Sequence, residues 1–168
     1  TGKIKIKPKN NNWNCSKFNF YQFINEFSIA KVCGKYGFLD LKGKWIIKPI
    51  FDDVGNFHEG FARVKINDNW GFINKEGTVV INREILKTES EVRTNAPVDA
   101  VSDFSEGLAI VVTKGKFGFI NSKGEWVIEP VLESARQFYN GVALVKKSNR
   151  VGWNYIDKKG NILFVNFL

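Results

Sequence analysis

Small apolar residues recur in pairs two positions apart: Ala30/Val32, Ala62/Val64, Ala109/Val111 and Ala143/Val145. That spacing predicts strands with both side chains on one face. The face is small, so a neighbouring layer can approach closely. After each pair comes an aromatic-Gly-aromatic-aliphatic run, as in Trp70-Gly71-Phe72-Ile73. Its two aromatics share a face, and the Gly between them leaves space for a packed neighbour. A third apolar run follows each time: Trp45-Ile46-Ile47, Val79-Val80-Ile81, Trp126-Val127-Ile128 and Ile162-Leu163-Phe164. The pattern predicts a three-stranded antiparallel meander, four times over.

The turns support this reading. Asp40-Leu41-Lys42-Gly43, Asn74-Lys75-Glu76-Gly77, Asn121-Ser122-Lys123-Gly124 and Asp157-Lys158-Lys159-Gly160 separate the second strand from the third. Asp or Asn first caps a type I turn, and Gly fourth supplies the left-handed residue of a G1 bulge. Pro49 and Pro130 are expected to end the third strand. In the fourth copy Asn154 stands in the Gly place, which suggests a backbone requirement there beside or instead of a need for space. From Ala to the aromatic anchor is 6, 8, 8 and 10 residues. The even steps lengthen a hairpin without turning side chains over. Its tips are expected to vary: Cys33-Gly34, Asn67-Asp68-Asn69, Lys114-Gly115 and Ser148-Asn149-Arg150. Connectors ending in Phe57-His58-Glu59-Gly60, Phe104-Ser105-Glu106-Gly107 and Phe138-Tyr139-Asn140-Gly141 are expected to be irregular crossings or single helical turns, each pinned by a buried Phe.

Anchors at Tyr36, Trp70, Phe117 and Trp153 are spaced 34, 47 and 36 residues apart. An insertion of 13 residues, about 82–95, accounts for the long step, and without it the period is 34 to 36. The insertion is highly charged, and either a short helix or an excursed hairpin suits it. The 168 residues therefore divide into a cap (1–27), repeat 1 (28–60), repeat 2 with its insertion (61–107), repeat 3 (108–141) and a truncated repeat 4 (142–168). The aromatics Phe18, Phe20, Tyr21, Phe23 and Phe27 fit a terminal cap, which repeat arrays need.

The pattern aromatic-Gly-Phe-Ile-Asn/Asp-x-x-Gly-x-x-Val-Ile-x-Pro, then Phe-x-x-Gly-x-Ala-x-Val, resembles the WG-repeat family over about residues 28–165. Tyr36 and Phe117 in place of Trp, and Asn154 in place of Gly, are departures. The resemblance implies a β-rich repeat domain, often of cell-envelope or multi-domain bacterial proteins, which leans localisation toward the envelope or secretion. It implies no shared catalytic residues and carries over no site. The fold expected is all-β: four tandem WG-type units stacked as a solenoid-like array, with propeller-like closure as the alternative.

Hydrophobic residues make up 43% and charged residues 25%, a globular composition. No apolar run is long enough to span a bilayer. The first residue is Thr1 and Met is absent, which reads as a processed or trimmed fragment. Cys15 and Cys33 pair in an exported protein and stay reduced in a cytosolic one. One His and two Cys exclude most metal and His-dependent sites, and no metal or cofactor is expected. His58 with Cys33 is the one conceivable dyad, and no local motif supports it. Asp52-Asp53 suits a turn better than a cation. Trp45 with Trp126, and Trp70 with Trp153, repeat at equivalent places, which favours core packing; Trp13 is the Trp expected to be exposed.

The net charge of +8 raises a polyanion as partner, nucleic acid or acidic glycan or lipid. Lys3, Lys5, Lys7 and Lys9 form its dense stretch. The leading expectation is a non-enzymatic interaction module that recognises a protein or surface polymer through hairpin tips and connectors. Candidate binding residues are Lys3, Lys5, Lys7, Lys9, Trp13, Asn67, Asp68, Asn69, Asn149 and Arg150.

Overall fold

The computed structural model describes residues 18–24, 26–81, 98–148 and 152–163, and every regular element among them is a strand. Sheet 1 holds β1 (Phe18–Ile24), β2 (Phe27–Val32), β3 (Lys35–Leu39) and β4 (Trp45–Phe51). Sheet 2 holds β5 (Asp53–Val54), β6 (Phe61–Ile66), β7 (Asn69–Asn74) and β8 (Val79–Ile81). Sheet 3 holds β9 (Val98–Val101), β10 (Leu108–Thr113), β11 (Lys116–Asn121) and β12 (Trp126–Leu132). Sheet 4 holds β13 (Ser134–Ala135), β14 (Val142–Lys146), β15 (Asn154–Asp157) and β16 (Ile162–Leu163). Strand order follows chain order, so each sheet is an antiparallel meander.

The units are all-β and tandem, but each sheet has four strands where the pattern predicted three. The segment ahead of each unit supplies the fourth: β1, from the expected cap, in sheet 1, β9 in sheet 3, and the connector strands β5 and β13 in sheets 2 and 4. Asp53 pairs with Lys65 and Val54 with Val64, and Ser134 and Ala135 pair likewise with Lys146 and Val145. These strands are two residues long, too short to show an alternation. The expected irregular crossing or helical turn is therefore a strand and a tight hairpin. In the latter, His58 bridges Phe61, Ser105 bridges Leu108 and Tyr139 bridges Val142 across two-residue turns.

The prolines do not end their strands. β4 runs through Pro49 and β12 through Pro130. Phe38 pairs with Ile47 but Tyr36 with Phe51, so Lys48-Pro49-Ile50 bulges out of the ladder. A bulge on an edge strand tolerates the missing donor. This bulge also explains the Gly of the second strand. A Cβ on Gly37 would fall 2.5 Å from Ile47 O and 2.7 Å from Pro49 N, and one on Gly118 would fall 2.7 Å from Ile128 O. Neither these glycines nor Asn154 has positive φ. The requirement is space alone, and Asn154 stands opposite an outer strand whose described part, β16, pairs without a bulge.

The first repeat is also offset from its expected alignment. The β2–β3, β6–β7 and β10–β11 hairpins all close through two-residue turns: Cys33-Gly34, Asn67-Asp68 and Lys114-Gly115. Val64 pairs with Gly71, but Ala30 pairs with Gly37. Ala30 thus holds the place of Val64, and Ser28, 1% exposed, that of Ala62. The motif slips by two residues while the hairpin keeps its length, and an even slip preserves the face.

Successive sheets pack with a constant polarity. Ala62, Val64 and Ile73 of sheet 2 meet Phe27, Phe38, Ile47 and Phe51 of sheet 1. Ala109, Val111 and Ile120 of sheet 3 meet Phe72 and Ile81 of sheet 2, and Ala143, Val145 and Ile156 of sheet 4 meet Leu108, Ile110 and Phe119 of sheet 3. Each sheet turns a small face to its predecessor and a large, mostly aromatic face to its successor. The connector Phe wedges between them: Phe57 against Phe38, Phe104 against Phe72 and Phe138 against Phe119, all with ring centroids 4.9–5.0 Å apart. Burying such a ring contributes about 1.5–3 kcal/mol.

Candidate functional site

Two surfaces emerge from this stacking. The first is the edge carrying the connector turns. Glu59, Glu106 and Asn140 have φ near 50°, each followed by a Gly at positive φ, which makes the turns type I′. Glu59 spans the junction between sheets 2 and 3. Its Oε1 accepts from the Glu106 amide at 2.7 Å and its Oε2 from the Gly107 amide at 2.8 Å. One junction on, Glu106 Oε2 accepts from the Gly141 amide at 2.9 Å, and Lys158 Nζ lies 3.1 Å away. The Gly141 amide, then Lys158, holds the Glu106 carboxyl below its ordinary range.

His58 lies on this edge. Its Nε2 is 3.6 Å from Asp103 Oδ2, and Arg63 Nε is 2.9 Å from Asp103 Oδ1 in an ion pair short of hydrogen-bond geometry. Arg63 also covers Trp70 at 5.6 Å. Gly55 leaves room for the pair, because a Cβ there would fall 2.6 Å from Arg63 Nε. The arrangement ties sheet 2 to sheet 3. The Cys33–His58 dyad is not formed. Phe57 touches Phe27 at the start of β2, whereas Cys33 follows its far end, and six residues of strand span roughly 20 Å. Cys33 is moreover disulfide-bonded. Cys15 lies outside the described residues.

Asp52-Asp53 serves turns. Asp52 pairs with Lys35 and accepts from the Asn67 amide at 2.9 Å. The Lys35 bond above all holds its carboxyl low. Asp53 accepts from the Val54 amide. Among the described residues no group of three or more His, Cys, Asp or Glu is placed to hold a metal ion. No described helix is long and apolar enough to cross a membrane.

Of the candidate binding residues, Lys3, Lys5, Lys7, Lys9, Trp13, Asn149 and Arg150 lie outside the described residues, as does the 82–95 insertion. Asn67, Asp68 and Asn69 form the β6–β7 tip. Asn69 Nδ2 donates to Asn67 O at 2.9 Å, and Asp68 pairs with Lys65 at 3.0 Å. The tip therefore spends the Asn69 Nδ2 and the Asp68 carboxylate within its own hairpin, while Asn69 Oδ1 has no hydrogen-bond partner. The described residues carry 16 Lys and Arg against 14 Asp and Glu, so only +2 of the net +8 belongs to them.

The second surface is the outer face of sheet 4, which the sequence reading missed. Ala143, Val145 and Ile156 face sheet 3, so Leu144 and Tyr155 face away. Leu144 lies opposite Tyr155, and Tyr155 opposite Leu163. Phe119, the counterpart of Tyr155 in sheet 3, is 1% exposed, whereas Tyr155 is 41% exposed. Trp153 is 48% exposed, with Arg136 over its ring at 5.6 Å. This corrects the expectation for the tryptophans: Trp70 and Trp126 pack against the core, but no described sheet covers Trp153.

A sequence profile described as "WG containing repeat" matches residues 36–70, 70–84, 98–117 and 117–150. No curated protein matches the chain. Among solved structures, Hsv2p of Kluyveromyces lactis is similar at a TM-score of 0.49 and 11% identity, over 88% of this chain and 49% of that one. Hsv2 of Kluyveromyces marxianus is similar at a TM-score of 0.48 and 11% identity, over 87% and 49%. The chain spans about half the length of these proteins.

Proposed function

Because the chain belongs to the WG-containing repeat family, we propose that it is a non-catalytic interaction module of a bacterial protein, and that it docks a protein partner on the open face of sheet 4. The observation that carries this reading is the exposure of Tyr155, Leu163 and Trp153, with the half-buried Leu144 beside Tyr155, on a face whose counterparts are covered in the three preceding sheets. A contiguous apolar patch of this kind marks an interaction surface. The internal junctions favour a partner that offers a β-sheet with a small-residue face, such as Ala-x-Val, and an aromatic wedge. The hairpin tips are less favoured because the β6–β7 tip offers no apolar surface, and its Asn69 amide and Asp68 carboxylate bond within the hairpin.

The test is affinity capture along a salt ladder with the immobilised chain and with a Leu144→Lys, Tyr155→Lys double variant. A discrete protein held at high salt by the parent chain and lost by the variant is the expected result. Nucleic acid or acidic polymer released from both at moderate salt would replace this reading with polyanion binding, in which affinity falls steeply with salt.

A further inference from the structure

The carboxylate bridges along the connector edge are incomplete. Glu59 fills the turn amides of Glu106 and Gly107, and Glu106 fills that of Gly141. The turn at Glu59-Gly60 has the same geometry: its φ values are 51° and 90°, against 53° and 83° at Glu106-Gly107. By this equivalence its amides face sheet 1 as those of Glu106 and Gly107 face sheet 2. In sequence, Asn25 stands two residues before Phe27 as Glu59 stands two before Phe61; it carries no charge and lies outside the described residues. Among the described residues no carboxylate bonds to the Glu59 or Gly60 amide. Instead a cavity of about 290 Å³ opens there, lined by Glu26, Phe27, Phe57, Glu59, Gly60 and Lys75.

Lys75 holds the turn position that Lys158 holds in the fourth unit, where Lys158 contacts the carboxylate already gripped by Gly141. In the cavity, Lys75 Nζ is 3.6 Å from Glu26 Oε2, and both side chains are at least half exposed. We propose that this cavity binds a carboxylate group of a ligand, held by the Glu59 and Gly60 amides and by Lys75, with Phe27 and Phe57 against its apolar part. Successive backbone N–H groups with a nearby cation form an anion site, and charge-assisted bonds to a carboxylate are the strong ones. The two occupied junctions show the ligand's chemistry, because the protein's own glutamates play that part. A bound carboxylate would draw Lys75 away from Glu26, which can turn to solvent. The proposal is independent of the sheet 4 surface, which lies at the other end of the stack.

The test is a titration of the full chain with acetate at constant ionic strength, following the backbone amide signals of Glu59 and Gly60 by NMR, with acetamide as the neutral control. The expected result is a saturable shift of both amides with acetate and none with acetamide. Lys75→Gln should weaken binding about tenfold, the value of one bond to a charged group. Glu26→Gln should strengthen it. Asn25→Glu should abolish it and raise Tm by completing the ladder. A tripeptide with a free carboxyl terminus, compared with its amide, separates the two sources: tighter binding than acetate points to a chain terminus, and equal binding to a small carboxylate. Equal shifts with acetamide, no saturation of the Gly60 shift, or full binding by both Lys75→Gln and Asn25→Glu would overturn the proposal.

Discussion

At Gly37 and Gly118 an added methyl would meet the backbone of the bulged outer strand, which cannot move without breaking its own pairing. Gly118→Ala is expected to cost about 1–3 kcal/mol, the range for overpacking, read by urea unfolding. Asn154→Gly should be close to neutral, since Asn154 has no positive φ that a Gly would relieve. The need for space at the Gly was legible in the sequence, but what fills the space was not, because the bulge arises only when β4 and β12 pair through their prolines. The turn caps were fully legible. Asp40 Oδ1 accepts from the Lys42 and Lys44 amides, Asn121 Oδ1 from Lys123 and Glu125, and Asp157 Oδ1 from Lys159 and Asn161. Asn121→Ala should cost about 1 kcal/mol. Three carboxyls are held below their ordinary range: Asp157 by Asn161 first, Asp52 by Lys35 first and Glu106 by Gly141 first. A depressed native pKa gives stability that is present above the unfolded-state pKa and lost as pH falls through the native one. Tm should therefore fall between about pH 5 and pH 2, and the fall should be shallower in Glu106→Gln.

At the scale of the element, each sheet is defined by its two unlike faces. The small face was readable from period-two spacing, and Ala62, Ala109 and Ala143 are all buried against the preceding sheet. The slip in repeat 1 was not readable, because Ser28 gives no apolar signal and the Ala-x-Val motif reappears two residues later. The wedges bear most of the junction. Phe104 is 3% exposed and contacts both Phe61 and Phe72, and Phe104→Ala should cost about 3–5 kcal/mol. The Glu59 bridge ties neighbouring turns rather than cores. Glu59→Ala should speed hydrogen exchange at the Glu106 and Gly107 amides while leaving exchange in β6 and β10 unchanged. Equal exchange at those two amides in both proteins would show that the bridge does not form in solution. Glu precedes Gly at both 59 and 106, but that recurrence does not show that its partner is the next turn, because the repeat length alone does not place one turn beside another.

At the scale of the whole molecule, the described sheets follow one another with one polarity, and no described sheet covers the outer face of sheet 4. Four units, their order and their strand directions follow from the repeats. The fourth strand of each sheet and the exposure on the outer face of sheet 4 follow only from the arrangement in space. The account predicts that binding is concentrated at that open face. The most direct measurement is a comparison of photo-crosslinking from three positions, Tyr155, Asp68 and Lys5, in the cell that makes the protein. A discrete protein crosslinked from Tyr155, and not from Asp68 or Lys5, is the predicted result. Crosslinks from Asp68 alone, or nucleic acid recovered from Lys5 with nothing at Tyr155, would contradict it.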